Sequence, residues 1–166
     1  SSVGNGTITP SGNVNVNHGS NQTFIISAAL HFHVDSVVVD GTNRGAISSF
    51  EFQNVTSAHS ITAYFSLDTY SIVGSVVGGG IISPPGTTTV GYGLNQTYSM
   101  VSSTGYHLDS VVVDETNQGT ISSYEFVSVS SNHTITAYFS LNSYAFPVNS
   151  RWNMISVPLI VVDFSV

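Results

Sequence analysis

Apolar and polar residues alternate along most of this chain with a period of two, the spacing of a strand that buries one face. Phe50 and Phe52 share a face, with Glu51 and Gln53 opposite. Ile61, Ala63 and Phe65 share another, with Thr62 and Tyr64 outward. The pattern predicts strands over residues 6–9, 13–17, 22–27, 32–39, 49–55 and 60–67. Asp40-Gly41 and the Gly- and Pro-bearing stretches 9–12 and 83–86 separate strands as turns. No window carries a helical period and good helix formers are scarce, so the fold class is all-β. A helix within the long connection 40–48 is the one alternative left open.

The pattern then repeats. Val37-Val38-Val39-Asp40 returns as Val111-Val112-Val113-Asp114, a shift of 74 residues (40 to 114). The same shift maps Asn21-Gln22-Thr23 onto Asn95-Gln96-Thr97, and Ile61-Thr62-Ala63-Tyr64-Phe65-Ser66 onto Ile135-Thr136-Ala137-Tyr138-Phe139-Ser140. From Gly4 to Leu67 it needs no insertion, and about half the positions are identical. Self-similarity of this kind marks repeated structural units. Short strands at this spacing predict two tandem β-sandwich-like modules, residues 1–68 and 69–142, followed by a C-terminal strand extension, residues 143–166. Residues 69–73 read as the opening strand of the second module. Only residues 1–3 precede Gly4, so the first module is expected to lack that strand.

The shift also carries Leu67-Asp68-Thr69-Tyr70-Ser71-Ile72 onto Leu141-Asn142-Ser143-Tyr144-Ala145-Phe146. The extension thus opens like a third copy and then departs from the repeat. Ile155, Val157, Leu159 and Val161 sit at period two, and Ile160, Val162 and Phe164 make the other face apolar as well. A strand apolar on both faces requires burial on both, and exposed it invites aggregation. The expectation is that the extension leaves its own subunit and completes the first module of the next by strand addition. Tyr144, Phe146, Val148, Trp152, Ile155, Val157, Leu159 and Val161 would form that interface. A head-to-tail contact that does not close yields a filament. The alternatives are an extension folded back on its own molecule, or a chain cut from a longer protein.

Composition narrows the partners. Charged residues make up 7% of the 166, against about a quarter in an average soluble domain. The net charge of −7 reflects a shortage of bases, which are Arg44 and Arg151 with no Lys at all. Such a chain cannot neutralise phosphates, which argues against nucleic acid and against an anionic membrane surface. The apolar stretch 154–166 is too short to span a bilayer, so membrane insertion is not expected. With no Cys there is no disulfide framework, and without Lys no Lys–Asn isopeptide staple can form. A slightly positive mean hydropathy with so few charges implies that assembly or glycans cover surface. The chain starts at Ser1 without a leader, and we read it as a secreted mature product or a fragment.

Five Asn-x-Ser/Thr sequons offer glycosylation sites at Asn5, Asn21, Asn54, Asn95 and Asn132. His31-x-His33 would put two imidazoles on one strand face, a pairing zinc can use, but Gly105 replaces His31 in the second copy and no third ligand is evident. His59 and His133 stand at the entry to a strand, where they are expected to bond to a turn. Asp40 and Asp114 recur as turn caps, without the carboxylate spacing of a calcium loop. No Gly-x-Ser-x-Gly elbow occurs, and no Lys follows Gly78-Gly79-Gly80 as a phosphate loop requires. No enzyme activity, metal or cofactor is therefore expected.

In its turn and strand motifs the chain resembles a bacterial surface repeat family, the divergent relatives of the internalin B-repeat. The first copy carries the resemblance at Gly6-Thr7-Ile8-Thr9-Pro10-Ser11-Gly12, Val39-Asp40-Gly41, Phe50-Glu51-Phe52 and His59-Ser60-Ile61-Thr62-Ala63-Tyr64-Phe65. The second carries it at residues 80–86, Gly105-Tyr106, Val113-Asp114, Tyr124-Glu125-Phe126 and 133–139. It departs at Leu30-His31, where the second copy has Thr104-Gly105, and at Glu115, where the first has Gly41. The resemblance implies tandem β modules of secreted surface proteins, acting as stalks or adhesive spacers. Two functions follow as expectations: a structural subunit of an extracellular, pilus-like filament, or an adhesive or carbohydrate-binding stalk of a larger surface protein.

Overall fold

The computed structural model describes residues 1–143, and the chain there is all-β. The first half contributes β1 (Ser2–Val3), β2 (Gly6–Thr9), β3 (Gln22–Ala28), β4 (Phe32–Val39), β5 (Thr42–Asn43), β6 (Ser49–Phe52) and β7 (Ile61–Leu67). The second contributes β8 (Thr69–Val77), β9 (Gly80–Ser83), β10 (Gly86–Gly91), β11 (Gln96–Ser102), β12 (Tyr106–Val113), β13 (Thr116–Asn117), β14 (Ser123–Phe126) and β15 (His133–Leu141).

Four sheets result. In the first half they run β1-β7-β4-β5 and β2-β3-β6; in the second, β10-β8-β15-β12-β13 and β14-β11-β9. Pairing registers recur at the same shift of 74. Val37 faces Ala63 on β7 and Val111 faces Ala137 on β15, and both β4 and β12 carry a bulge, at Asp35 and Asp109. Strand alternation sets the burial: Phe24 and Ile26 point inward from β3 while Thr23 and Ile25 face out.

The turns explain why these strands end where they do. Asp40 (φ 48°) and Gly41 (φ 78°) form the two-residue hairpin between β4 and β5. Asp114 (φ 44°) and Glu115 (φ 65°) repeat it, so the change from Gly to Glu keeps the geometry and puts a side chain in the left-handed region. The stretch 40–48 thus holds a hairpin turn and β5, with no helix. The strand expected over 49–55 stops at Phe52, because Asn54 turns to φ 48° and its N–H donates to Asn21 Oδ1 at 2.9 Å.

Each half has its own buried cluster, fed by both of its sheets. In the first half it is Ile8, Phe24, Ile26, Val37, Val39, Phe52, Ala63 and Phe65. The second has the eight counterparts of these and four more: Ile72, Val90, Val129 and Ile135. Close packing fixes some small residues. A Cβ on Gly6 would collide with the Phe65 ring, and one on Gly80 with the Phe139 ring.

The halves meet at a short joint. Leu67 ends β7, Asp68 follows, and Thr69 begins β8. The Asp68 N–H donates to the His31 carbonyl at 2.8 Å, and the Asp68 carbonyl accepts from Tyr92 N–H at 2.8 Å. The His31 ring lies flat on Tyr92, with centroids 3.5 Å apart and planes 10° from parallel.

Candidate functional site

The four extra core residues of the second half have one cause. Ile72 sits in the first part of β8, which threads between β10 and β15. It runs antiparallel to β10, Tyr70 facing Val90 and Ile72 facing Thr88, and parallel to β15, Ile72 facing His133. Val90, Val129 and Ile135 are buried in the same cluster as Ile72. Tyr98 donates its hydroxyl to the Ile72 carbonyl at 3.3 Å, and Asn132 Oδ1 accepts from the Ser71 N–H at 2.9 Å.

In the first half the counterpart of the end of that strand is β1. Ser2 faces Ala63 and Val3 faces Tyr64 in parallel, the register with which Val76 and Val77 face Ala137 and Tyr138. The first half was expected to lack this strand altogether; β1 corrects that expectation, standing where the last two residues of β8 stand in the second half. Ser1 extends the ladder slightly, its amino group donating to the Ile61 carbonyl at 2.7 Å and its carbonyl accepting from the Ala63 N–H at 3.0 Å.

Three local differences follow. Residues 13–17, expected as a strand on the alternation of Asn13, Val14, Asn15, Val16 and Asn17, form none, although their counterparts lie in β10. A strand needs a ladder partner for its N–H and C=O groups, and β10 finds one in β8. β7 starts at Ile61, whereas β15 starts two residues earlier, at His133, which pairs with Ile72. Finally Val16, Val55 and Ile61 are half-buried where Val90, Val129 and Ile135 are buried.

Between residues 12–16 and the start of β7 lies an open groove of about 760 Å³. Val14, Val16, Phe24, Phe52, Val55 and Ile61 are among its apolar lining. Asn13, Asn15, Ala58, His59, Ser60 and Thr62 also line it. Ala58 takes the place of Asn132, so the side chain that holds Ser71 in the second half has no counterpart here.

His59 and Ser60 are held by the β4–β5 turn. Asp40 Oδ1 accepts from the Ser60 N–H at 2.7 Å, and Asp40 Oδ2 lies 2.7 Å from His59 Nδ1. The Ser60 amide, and then His59, lower the Asp40 carboxyl below its ordinary value. Asp114 repeats the arrangement with Thr134 N–H and His133, at 2.8 and 2.6 Å. Partial burial pushes Asp114 upward, but the Thr134 amide and His133 outweigh it and its pKa is lowered. His59 also stacks on Phe52, centroids 4.8 Å apart, and so joins the turn to the groove lining.

The remaining candidates fall elsewhere. His31 is not on a strand face: it sits in the turn before β4 at φ 64° and stacks on Tyr92. His33, on β4, bonds Asp68 through Nδ1 at 3.0 Å and Asp35 through Nε2 at 3.2 Å. The two imidazoles therefore serve different partners rather than one ion. Asn5, Asn21, Asn54, Asn95 and Asn132 are all exposed. Asn21 and Asn95 have structural duties, each Oδ1 accepting an N–H (Asn54, Ser128) at 2.9 Å while Nδ2 reaches Glu51 or Glu125. Tyr144, Phe146, Val148, Trp152, Ile155, Val157, Leu159 and Val161 lie outside the described residues.

Phe52, His59 and Ile61 were read from the sequence as strand and turn residues and not as the lining of a groove, although a signal was there. Aligning the copies at a shift of 74 shows which residues the first part of β8 covers, and hence which ones lie bare in the first half. Compared with protein-family models, curated proteins and solved structures, the chain matches none.

Proposed function

We propose that this chain is a structural subunit of an extracellular filament or surface appendage. In this reading it consists of two tandem sandwich-like modules of the internalin B-repeat kind. The C-terminal segment of one subunit completes the first module of the next, and the contact propagates head to tail. The observation that supports it most is the groove, which occupies the position that the first part of β8 fills in the second half. Strand addition there would pair a β edge and cover apolar side chains together, the two sources of affinity in this mode of binding.

Secretion to the cell surface fits a chain nearly devoid of bases. Glycans on the exposed sequons would keep such a surface soluble. A second reading, an adhesive stalk within a longer protein, is favoured by the recurrence of the opening-strand sequence at 143–146, which a continuing array would also show. Negative-stain microscopy and sedimentation of the intact chain and of a variant lacking residues 143–166 separate the two. Filaments from the intact chain and monomers from the shortened one are expected. Filaments that survive the deletion, or an intact chain that stays monomeric at every concentration, would overturn the proposal.

A further inference from the structure

We infer that the groove of the first half receives Ser143–Val148 of a second copy of this chain, in the register of β8, and not the doubly apolar stretch 155–162. The inference rests on the filament reading and specifies its contact. The 74-residue shift places Ser143, Tyr144, Ala145 and Phe146 where Thr69, Tyr70, Ser71 and Ile72 stand in the second half. Tyr144 repeats Tyr70 itself, and Phe146 supplies an apolar side chain at the position of Ile72, the buried centre of the second cluster.

The register then follows from the ladders of β8. The incoming segment runs antiparallel to residues 12–17, with Tyr144 facing Val16 and Phe146 facing Val14, as Tyr70 faces Val90 and Ile72 faces Thr88. On its other side it runs parallel to β7, with Phe146 facing His59 and Val148 facing Ile61, as Ile72 faces His133 and Gly74 faces Ile135. Phe146 thus covers Val16, Val55 and Ile61, the residues bared in the first half.

Two features set the length of the inserted piece. Ser1 occupies the next position along β7, held by its bonds to Ile61 and Ala63. An incoming strand cannot continue past Val148 without displacing it. Pro147, which has no N–H to give a ladder, stands next to the last residue of the segment, where pairing is about to cease. A uniformly apolar ribbon such as 155–162 lacks both the register and this stop. The alternation of Tyr144 and Phe146 with Ser143 and Ala145 instead matches a site with one apolar side.

The chain has no cysteine, so introduced pairs report the contact without background. Two double variants of the full chain are compared under mild oxidation: His59→Cys with Phe146→Cys, and His59→Cys with Val157→Cys. Each single variant stops at a dimer, because one thiol per chain cannot extend a polymer. The first pair is expected to give a reducible ladder beyond the dimer and the second pair none. A ladder from the Val157 pair alone would overturn the register and leave C-terminal strand exchange standing. A cross-linked monomer from the first pair, or no ladder from either, would overturn both. In a cysteine-free companion, a chain ending at Asn149 should still polymerise, and one ending at Asn142 should not. Loss of assembly in the chain ending at Asn149 counts against the register.

Discussion

Asp40 and Asp114 show how much of each half hangs on one carboxylate. Each receives a backbone N–H from the segment entering β7 or β15 and holds a histidine that packs on a core phenylalanine. These bonds favour the ionised form, so both pKa values in the fold lie below the ordinary 3.8. For a carboxylate depressed by folding, the linked stability is present above the unfolded pKa and is lost as pH falls through the folded one. Asn at the same position can still accept the N–H but does not titrate. The difference in urea midpoint between the wild type and the D40N/D114N double variant should therefore be larger near pH 6 than near pH 2.5. A gap that does not narrow on acidification would contradict the role given to these side chains. Glu115 works against its turn, since a left-handed backbone costs a non-glycine residue roughly 1–2 kcal/mol.

The first part of β8 accounts for most of what differs between the halves. Beside it β10 forms, β15 gains two residues and Ile135 is buried; in the first half the counterparts are coil, shorter and half-buried. Ile135→Ala should accordingly cost about 2–5 kcal/mol, the range for a buried large-to-small change. Ile61→Ala, at the same repeat position, should cost roughly half as much in the unassembled chain, because water already reaches that side chain. Urea melts of the two variants at low concentration check this, and equal losses would mean that the groove is closed in solution. Much of this was legible beforehand. Period-two alternation located most strands, whereas the opening strand of the first half, expected to be missing, is represented by β1. Alternation failed at 13–17 for a physical reason: it reports which face would be buried, not whether a neighbouring strand exists to bond. The end of β6 was also hidden, because it depends on Asn21, which lies far from Asn54 in sequence and reaches it only through the fold.

The halves meet at Asp68, His31, His33 and Tyr92, and the His31 ring stacked on Tyr92 helps to set their relative orientation. His31→Gly, which copies Gly105 of the second half, removes the stacked ring while keeping a residue suited to φ 64°. Small-angle scattering of the unassembled variant should show a broader spread of dimensions than the wild type, and an unchanged curve would assign the stiffness to the backbone bonds of Asp68 instead. The repeat carries this difference outward. In a chain of subunits joined through the groove, the counterparts of His31 and Tyr92 at each new seam are Gly105 and His18, which have no pair of rings to lay together. Firm knuckles would then alternate with loose ones along the thread, so bends would gather at every second link and the fibre would yield like a jointed ruler rather than a wire.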